Sequence, residues 1–341
     1  MKKFKFFSFA VLLILFSSCT NCANLLGGNR LRFSAKEPIY CVSYNAQTFF
    51  DAIEDGKEFA EFKGARSKWS AEKYRARLLR LREVGESAVE TFGGRKGQMP
   101  DIFVMQEIEG LRVVEDFAKL FSAREGYDYV VFFPPTGKAN FCTAVFSKFP
   151  IVDFQQFKLT DSRFDSDGLR PLFKATMEIN FGKRCEYLTI FAVHWKSKLG
   201  NNTDIIRNAQ EAQLLAEVEK TLEEDPEAHI LICGDFNQEP NEFAELPKKF
   251  NYVWKFDAPT QKRLGVDGSF FYKDNWEQID NMFFSHNLED GCGLDLVDFS
   301  PLAVKPFLKD NGEPNKFMVS NGQGYSDHLP ICCVLEFLNG E

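Results

Sequence analysis

The chain repeatedly builds a short apolar run of strand length and stops it on a polar side chain. "IYCVSYN" ends on Asn45, "DIFVMQE" on Gln106 and Glu107, "LTIFAVH" on His194, and "ILICGDFN" on Asp235 and Asn237. "EQID" sets Asp280 at the start of "NMFF", and "YSDHLPICCV" sets Asp327 and His328 just before a last apolar run. Runs this short, bounded by turn residues, read as buried strands. In "LTIFAV" the apolar residues are continuous, so both faces of that strand must be covered. Yet several neighbours are joined by hairpin-length connections, such as that around Gly182 between "LFKATMEI" and "CEYLTIFAVH". Parallel neighbours need crossovers of a dozen residues or more, so the sheets must be mixed. The pattern predicts an α/β fold: a four-layer α/β/β/α sandwich of two mixed β-sheets with helices outside.

The helical segments fit the outer layers. "SAEKYRARLLRLREVGESAVETF" places Tyr74, Leu78, Leu81, Ala88 and Phe92 on one face, with Ser70 as the cap. "GLRVVEDFAKLFS" is a second helix. A third, from Asp204 to about Glu224, is expected to bury Ile205, Leu214, Leu215, Val218 and Leu222. Further strands are read in "DYVVFFP", "NFCTAVFSKFPI" and "SFFYKD", and residues 300–324 read as loop. There is no internal repeat and no long linker within 37–341, which is expected to be one catalytic domain.

The N-terminus is of another kind. Lys2, Lys3 and Lys5 precede an apolar stretch from Phe6 to Phe16 and then "SSCT". That stretch is too short to span a bilayer comfortably, and its flanks match a secretory signal. Residues 1–18 are therefore expected to be a signal peptide of lipoprotein type, with Cys19 as the lipidated residue and 19–36 as a flexible spacer. Ordinary signal cleavage a few residues later is the alternative. Either reading predicts an exported protein of a bacterial cell envelope, and lipidation predicts a membrane anchor. Losing residues 1–18 removes three lysines and makes a formal charge of −8 more negative still. Such a balance opposes a protein that clings to nucleic acid through a broad basic surface, though not an enzyme that grips a few phosphates. Most of the nine cysteines lie inside apolar runs, as Cys41, Cys142, Cys233, Cys332 and Cys333 do. They read as buried thiols, leaving room for one bridge of undefined pairing.

A single carboxylate at a strand end is ordinarily a turn former or a helix cap. Endings of this kind from segments so far apart are harder to assign to turn chemistry, because strand ends of one sandwich can converge on one edge. The set "SYNAQ", "VMQEIE", "FAVHWKSK", "CGDFNQEP", "QIDNMFFS" and "GYSDHLP", in this order over residues 39–337, resembles the endonuclease/exonuclease/phosphatase superfamily, the deoxyribonuclease I-like fold. "YNAQTFFD" followed by "WSAEKYRARL" is similar to a bacterial group of exported, nuclease-like proteins within it.

The resemblance implies a phosphodiester hydrolase using magnesium, or manganese in its place. It implies Glu107 as the first metal ligand and Asn45 as a partner of metal or phosphate; Asp327, beside His328, could be a ligand through water. Asp280 and His328 match an aspartate–histidine pair in which the carboxylate orients the imidazole. Asp235 matches the position that orients or deprotonates the attacking water, Asn237 one that donates to a phosphoryl oxygen, and His194 a second histidine near the leaving oxygen. Either His328 or Asp235 could be the base. Arg170 resembles a phosphate-gripping arginine, with a solvated edge residue as the plain alternative. Lys196 and Lys198 meet neighbouring phosphates or are solvated loop lysines. Trp195 offers a stacking face or, in the plainer reading, packs. Asp235 and Asn237, two apart in an extended segment, are expected to face the same side while Phe236 packs away.

Three functions follow. The first is a nuclease of low sequence specificity with nucleic acid as substrate, acting as a monomer. The second is a phosphatase or sphingomyelinase-type phosphodiesterase on the same scaffold. The third is a surface binding protein that has lost turnover; the presence of both Glu107 and His328 weighs against it. No Walker-type loop, zinc cysteine–histidine set or nucleophilic serine motif is present.

Overall fold

The computed structural model describes residues 37–122, 125–135, 137–252 and 265–338. The signal peptide, the spacer and Cys19 lie outside them. Along the chain come β1 (Ile39–Phe49), α1 (Ala71–Thr91), β2 (Ile102–Ile108), α2 (Leu111–Ala118), β3 (Tyr129–Phe132), β4 (Cys142–Ser147) and β5 (Ile151–Phe157). There follow β6 (Leu172–Phe181), β7 (Arg184–His194), α3 (Thr203–Glu224), β8 (His229–Asp235), α4 (Leu246–Lys249) and β9 (Asn251–Tyr252). The last are β10 (Phe270–Tyr272), β11 (Asn275–Glu277), β12 (Asp280–Phe284), β13 (Gly293–Pro301) and β14 (Ile331–Leu338).

Two six-stranded sheets form, in the orders β13-β14-β1-β2-β4-β3 and β5-β6-β7-β8-β12-β9, beside a small β10–β11 hairpin. Each large sheet is mixed. β1 and β2 are parallel, as are β7 and β8, while β14 runs antiparallel to β1 and β12 antiparallel to β8. The C-terminal ends of the parallel pairs therefore meet the N-terminal starts of β12 and β14 at one edge of the sandwich.

Strand alternation divides the core into layers. Ile39, Cys41, Ile102, Val104, Leu188, Ile190, Ala192, Leu231, Cys233 and Met282 pack between the sheets. Val42, Tyr44, Phe103 and Met105 face outward onto Leu78, Leu81 and Val84 of α1 and onto α2. Phe191, Val193, Ile230, Ile232 and Phe283 face Leu214, Leu215 and Val218 of α3. Each such buried side chain contributes about 1.5–3 kcal/mol, so the order of layers is held by many small terms. The α/β/β/α sandwich expected from the sequence is present.

Ser70 caps α1 as expected, accepting from the Lys73 N–H. In α3 Leu214, Leu215 and Val218 are buried and Leu222 packs partly buried as expected, but at the first turn Ile205 is exposed and Ile206 is buried in its place. β13 went unassigned by sequence because Asp295 and Asp298 interrupt its apolar pattern. The described cysteines are all free, Cys185 and Cys292 exposed and the other five buried. Among the described residues no helix is long and apolar enough to cross a membrane.

Candidate active site

The inter-sheet stripe of several strands turns polar at the edge where the strand ends meet. Asn45 follows Ile39 and Cys41 on β1, and His194 follows Ile190 and Ala192 on β7. Asp235 follows Leu231 and Cys233 on β8, while Asp280 precedes Met282 and Phe284 on β12. All four polar residues are buried, with Asn45 fully so. The same alternation that builds the core thus delivers them to one place.

Glu107 arrives by a different route. Simple alternation would aim it outward with Phe103 and Met105. Instead it adopts φ +60°, and the pairing of β2 with both neighbours loses register here. This bulge turns the carboxylate inward, a use of bulges common beside functional sites. The Asn45 amide nitrogen then donates to Glu107 Oε1 at 3.3 Å and to Asp235 Oδ2 at 2.9 Å, tying the two carboxylates together. Its amide oxygen accepts the Gln47 N–H at 3.0 Å, so Asn45 stands as a strut between the carboxylates.

On the other side, Asp280 Oδ2 lies 2.8 Å from His328 Nδ1 and accepts from the Ser269 hydroxyl at 2.7 Å. Ser326 donates to the Asn45 carbonyl and accepts the His328 N–H, holding the histidine loop against β1. Phe270 lies against the His328 ring, 4.5 Å between centroids. Burial alone would drive the His328 pKa down, but the charge and hydrogen bond of Asp280, helped by Asp235 and Asp327, raise it to about 10. The imidazole is therefore cationic at neutral pH. Burial pushes the Asp235 carboxyl up, and Asp280 adds to this against the pull of His328 and of the Asn237 and Asn45 N–H groups.

His194 Nε2 lies 3.8 Å from Glu107 Oε1 and 3.6 Å from Asp235 Oδ2, while its Nδ1 has no partner. Burial, reinforced by Arg170 and His328, holds it well below the ordinary histidine range, so this ring is neutral. Asp327 is tied in through its N–H to Gln47 Oε1 at 3.1 Å, and burial raises its carboxyl.

The structure corrects one reading of the sequence at this edge. Asn237 is not extended: it takes φ +49°, and its N–H donates to Asp235 Oδ1 at 2.8 Å. Its amide nitrogen donates to the Trp195 carbonyl at 3.2 Å, the oxygen that also accepts from Arg170 Nη1 at 3.3 Å. Asn237 and Arg170 are thus neighbours by a shared acceptor and not by strand geometry. Gly234 has a separate role. It continues β8 at φ +140°, where a Cβ would stand 2.0 Å from the Val193 carbonyl oxygen. Only glycine lets β7 and β8 approach this closely.

Lys196 turns away, its ammonium donating to the Leu199 carbonyl at 3.0 Å, and Lys198 pairs with Glu242 and Glu277. Trp195 is buried between Phe236 and Phe243 and presents no free stacking face.

Sequence reasoning missed Arg77. This fully buried guanidinium leans over Phe49 and Phe317 and donates to the carbonyls of Ala46, Gln47 and Thr48. Gln47 and Thr48 both have positive φ, and the turned Thr48 N–H donates to Glu107 Oε2. Arg77 therefore supports the loop that seats Glu107. It lies in "WSAEKYRARL", a stretch whose motif character was visible but whose reason was not.

The residues fit a divalent cation. Magnesium takes oxygen ligands and keeps several waters, so it needs only one or two carboxylates. Glu107 supplies one at the open side of the site, its side chain 17% exposed, with Asp235 beside it. Asp235, Asp280 and His328 also bring ligand atoms within 4.8 Å of one another, but the proton that Asp280 keeps on His328 leaves the metal to the carboxylates.

A sandwich with such an edge is the build of hydrolases acting on phosphate esters. The model of the endonuclease/exonuclease/phosphatase family matches residues 40–337, and the chain belongs to that family. No curated protein matches it in sequence. It is similar in structure to an endonuclease/exonuclease/phosphatase family protein from Bacteroides thetaiotaomicron (15% identity, 88% of this chain and 98% of that one, TM-score 0.53). It is also similar to TDP2 of D. rerio complexed with a single-strand DNA product (17%, 88% and 99%, 0.52). The human Nocturnin catalytic domain with bound sulfate is a third (17%, 88% and 94%, 0.51). At these identities the likeness is one of fold.

Proposed function

We propose that this protein is a magnesium-dependent phosphodiester hydrolase, a nuclease of low sequence specificity that works as a monomer. The observation that carries the reading is the meeting of Asn45, Glu107, Asp235, Asp280 and His328, from five separate segments, around one buried polar edge. A fold neighbour holding a single-strand DNA product, and another holding sulfate, support a site for a tetrahedral oxyanion.

Glu107, with Asp235 beside it, would hold the metal, while Asn45 keeps the two carboxylates in register. The ion, when bound, supplies positive charge to the phosphoryl oxygens. The protein's own groups divide the rest by charge. His328, kept cationic by Asp280, donates a hydrogen bond to a phosphoryl oxygen and stabilises charge developing there. Holding its proton, it does not serve as the base. That role falls to Asp235, whose buried carboxylate takes the proton of an attacking water. His194, neutral, offers only Nε2–H to the leaving oxygen. Arg170 and Asn237, side by side on the Trp195 carbonyl, form the remaining anion-facing wall. Lys196 and Asp327 are secondary, the first because its ammonium is already engaged.

The test is hydrolysis of plasmid DNA, RNA, an inositol phosphate and sphingomyelin by the purified protein, with magnesium or with chelator. DNA or RNA cleavage that needs the metal and is lost in Glu107→Gln and His328→Ala is expected. Cleavage of the lipid or inositol substrate alone would replace the nuclease reading with the second one, and no hydrolysis at all would favour a binding protein. Export and anchoring through Cys19 rest on the sequence of residues 1–19. Cys19→Ala should release the protein from the membrane fraction, and unchanged retention would remove lipidation from the proposal.

A further inference from the structure

A second acidic cluster lies where the loop of residues 50–70 meets the end of β2. Asp55, Glu58 and Glu109 each offer a carboxylate oxygen, and these oxygens lie within 4.8 Å of one another. Asp55 is exposed, but Glu58 is only 4% and Glu109 only 7% exposed. Among the described residues no lysine or arginine makes an ion pair with any of the three. The nearby Arg112 pairs with Asp51, and the Lys63 ammonium lies 3.4 Å from the Gly56 carbonyl. Glu109 uses Oε2 to accept the Asp51 N–H at 2.6 Å, while Oε1 is buried with no partner. Leaving a buried polar oxygen so placed is costly unless something outside the chain satisfies it.

We infer that Asp55, Glu58 and Glu109 bind a calcium ion, separate from the magnesium site at Glu107. The donors are all oxygens, with no nitrogen or sulfur, which selects a hard cation. Calcium accepts six to eight oxygens in flexible geometry, mono- or bidentate, whereas magnesium demands a near-regular octahedron. A cluster drawn from an irregular loop and a strand end suits the first. Aromatic packing seats the loop beside it. Phe50 packs on Phe62 and Phe141 at 4.7 and 4.8 Å, and the Trp69 indole N–H donates to the Asp51 carbonyl. Bound calcium fastens this loop to the chain two residues beyond Glu107. The inference does not depend on the reaction proposed above.

The experiment uses the purified protein with magnesium in excess, so that the Glu107 site is filled. Terbium is the probe, because Trp69 donates to the carbonyl of Asp51, whose own N–H donates to Glu109, and an indole so placed should sensitise its emission; calcium is the competitor. Wild type should show sensitised emission that calcium displaces with a Kd of about 10⁻⁴–10⁻³ M, and calcium should raise its Tm. Asp55→Asn should weaken both effects by about tenfold or more, as expected for loss of one charged ligand. Since Asp55 is exposed, Asp55→Asn should leave the fold intact, which its Tm without calcium checks, and Glu109→Gln supplies an independent second variant. Trp69→Phe should lose the emission and keep the calcium-dependent rise in Tm. A wild-type Tm that calcium does not move, or calcium and terbium responses unchanged in Asp55→Asn, would overturn the inference.

Discussion

Replacing Asp280 by Asn tests the charge arrangement at the site with one atom's change. In the wild type, His328 is raised from 6.5 to about 10 although burial pulls the other way. A difference of this size corresponds to roughly 5 kcal/mol favouring the protonated ring in the folded protein. The sign follows from linkage: a histidine raised on folding adds stability that is fully present below pH 6.5 and is lost as pH climbs through about 10. Metal-free wild type should therefore lose up to roughly 5 kcal/mol from this group between those limits. In Asp280→Asn the amide oxygen can still accept from Nδ1, but the charge is gone. Burial then dominates, opposed only by Asp235 and Asp327, and His328 falls to or below its ordinary value. Two assays read this: denaturant unfolding across the pH window, and an NMR titration of the His328 ring with divalent ions chelated. Hydrolysis should fall by about 10²–10³-fold, the usual cost of losing one donor that stabilises developing charge. If wild-type His328 titrates near its ordinary value, or the variant keeps the wild-type pH dependence, the reasoning is wrong.

Further substitutions probe how the edge is held. Arg77→Met leaves three backbone carbonyls without their donor, so a loss of about 3 kcal/mol or more is expected in denaturant unfolding. It should also weaken magnesium affinity, because the Thr48 N–H no longer steadies Glu107; full affinity in a folded variant would remove the supporting role. Gly234→Ala forces a Cβ into the Val193 carbonyl at a φ that only glycine adopts readily. It should cost about 3 kcal/mol or more and displace Asp235, and a variant of wild-type stability would contradict the close β7–β8 approach.

The strands and most of the edge were legible because strand alternation is a local, period-two code. A run such as "LTIFAVH" states in itself that His194 shares a face with Ile190 and Ala192, and "ILICGD" does the same for Asp235. What stayed hidden depends on departures from that period and on contacts distant in sequence. Glu107 reaches the site only because it takes a positive φ, which nothing in "VMQEIE" announces. Asn237 likewise leaves the extended path assumed for it. Arg77 reads as one more cation on a helix, and only the folded chain shows it beneath the carbonyls of residues 46–48. Ser269 and Ser326, which brace Asp280 and His328, are among the least conspicuous residues of their segments. β13 escaped because aspartates break its pattern, and Lys196, adjacent to His194 in sequence, proves to be engaged elsewhere.

The most direct measurement is the anomalous difference map of a crystal grown with manganese in place of magnesium. A peak bonded to the Glu107 carboxylate, lost in Glu107→Gln, is the predicted result. Manganese that avoids Glu107, whether it binds nowhere or only among Asp55, Glu58 and Glu109, would contradict a metal-assisted phosphodiesterase built at this edge.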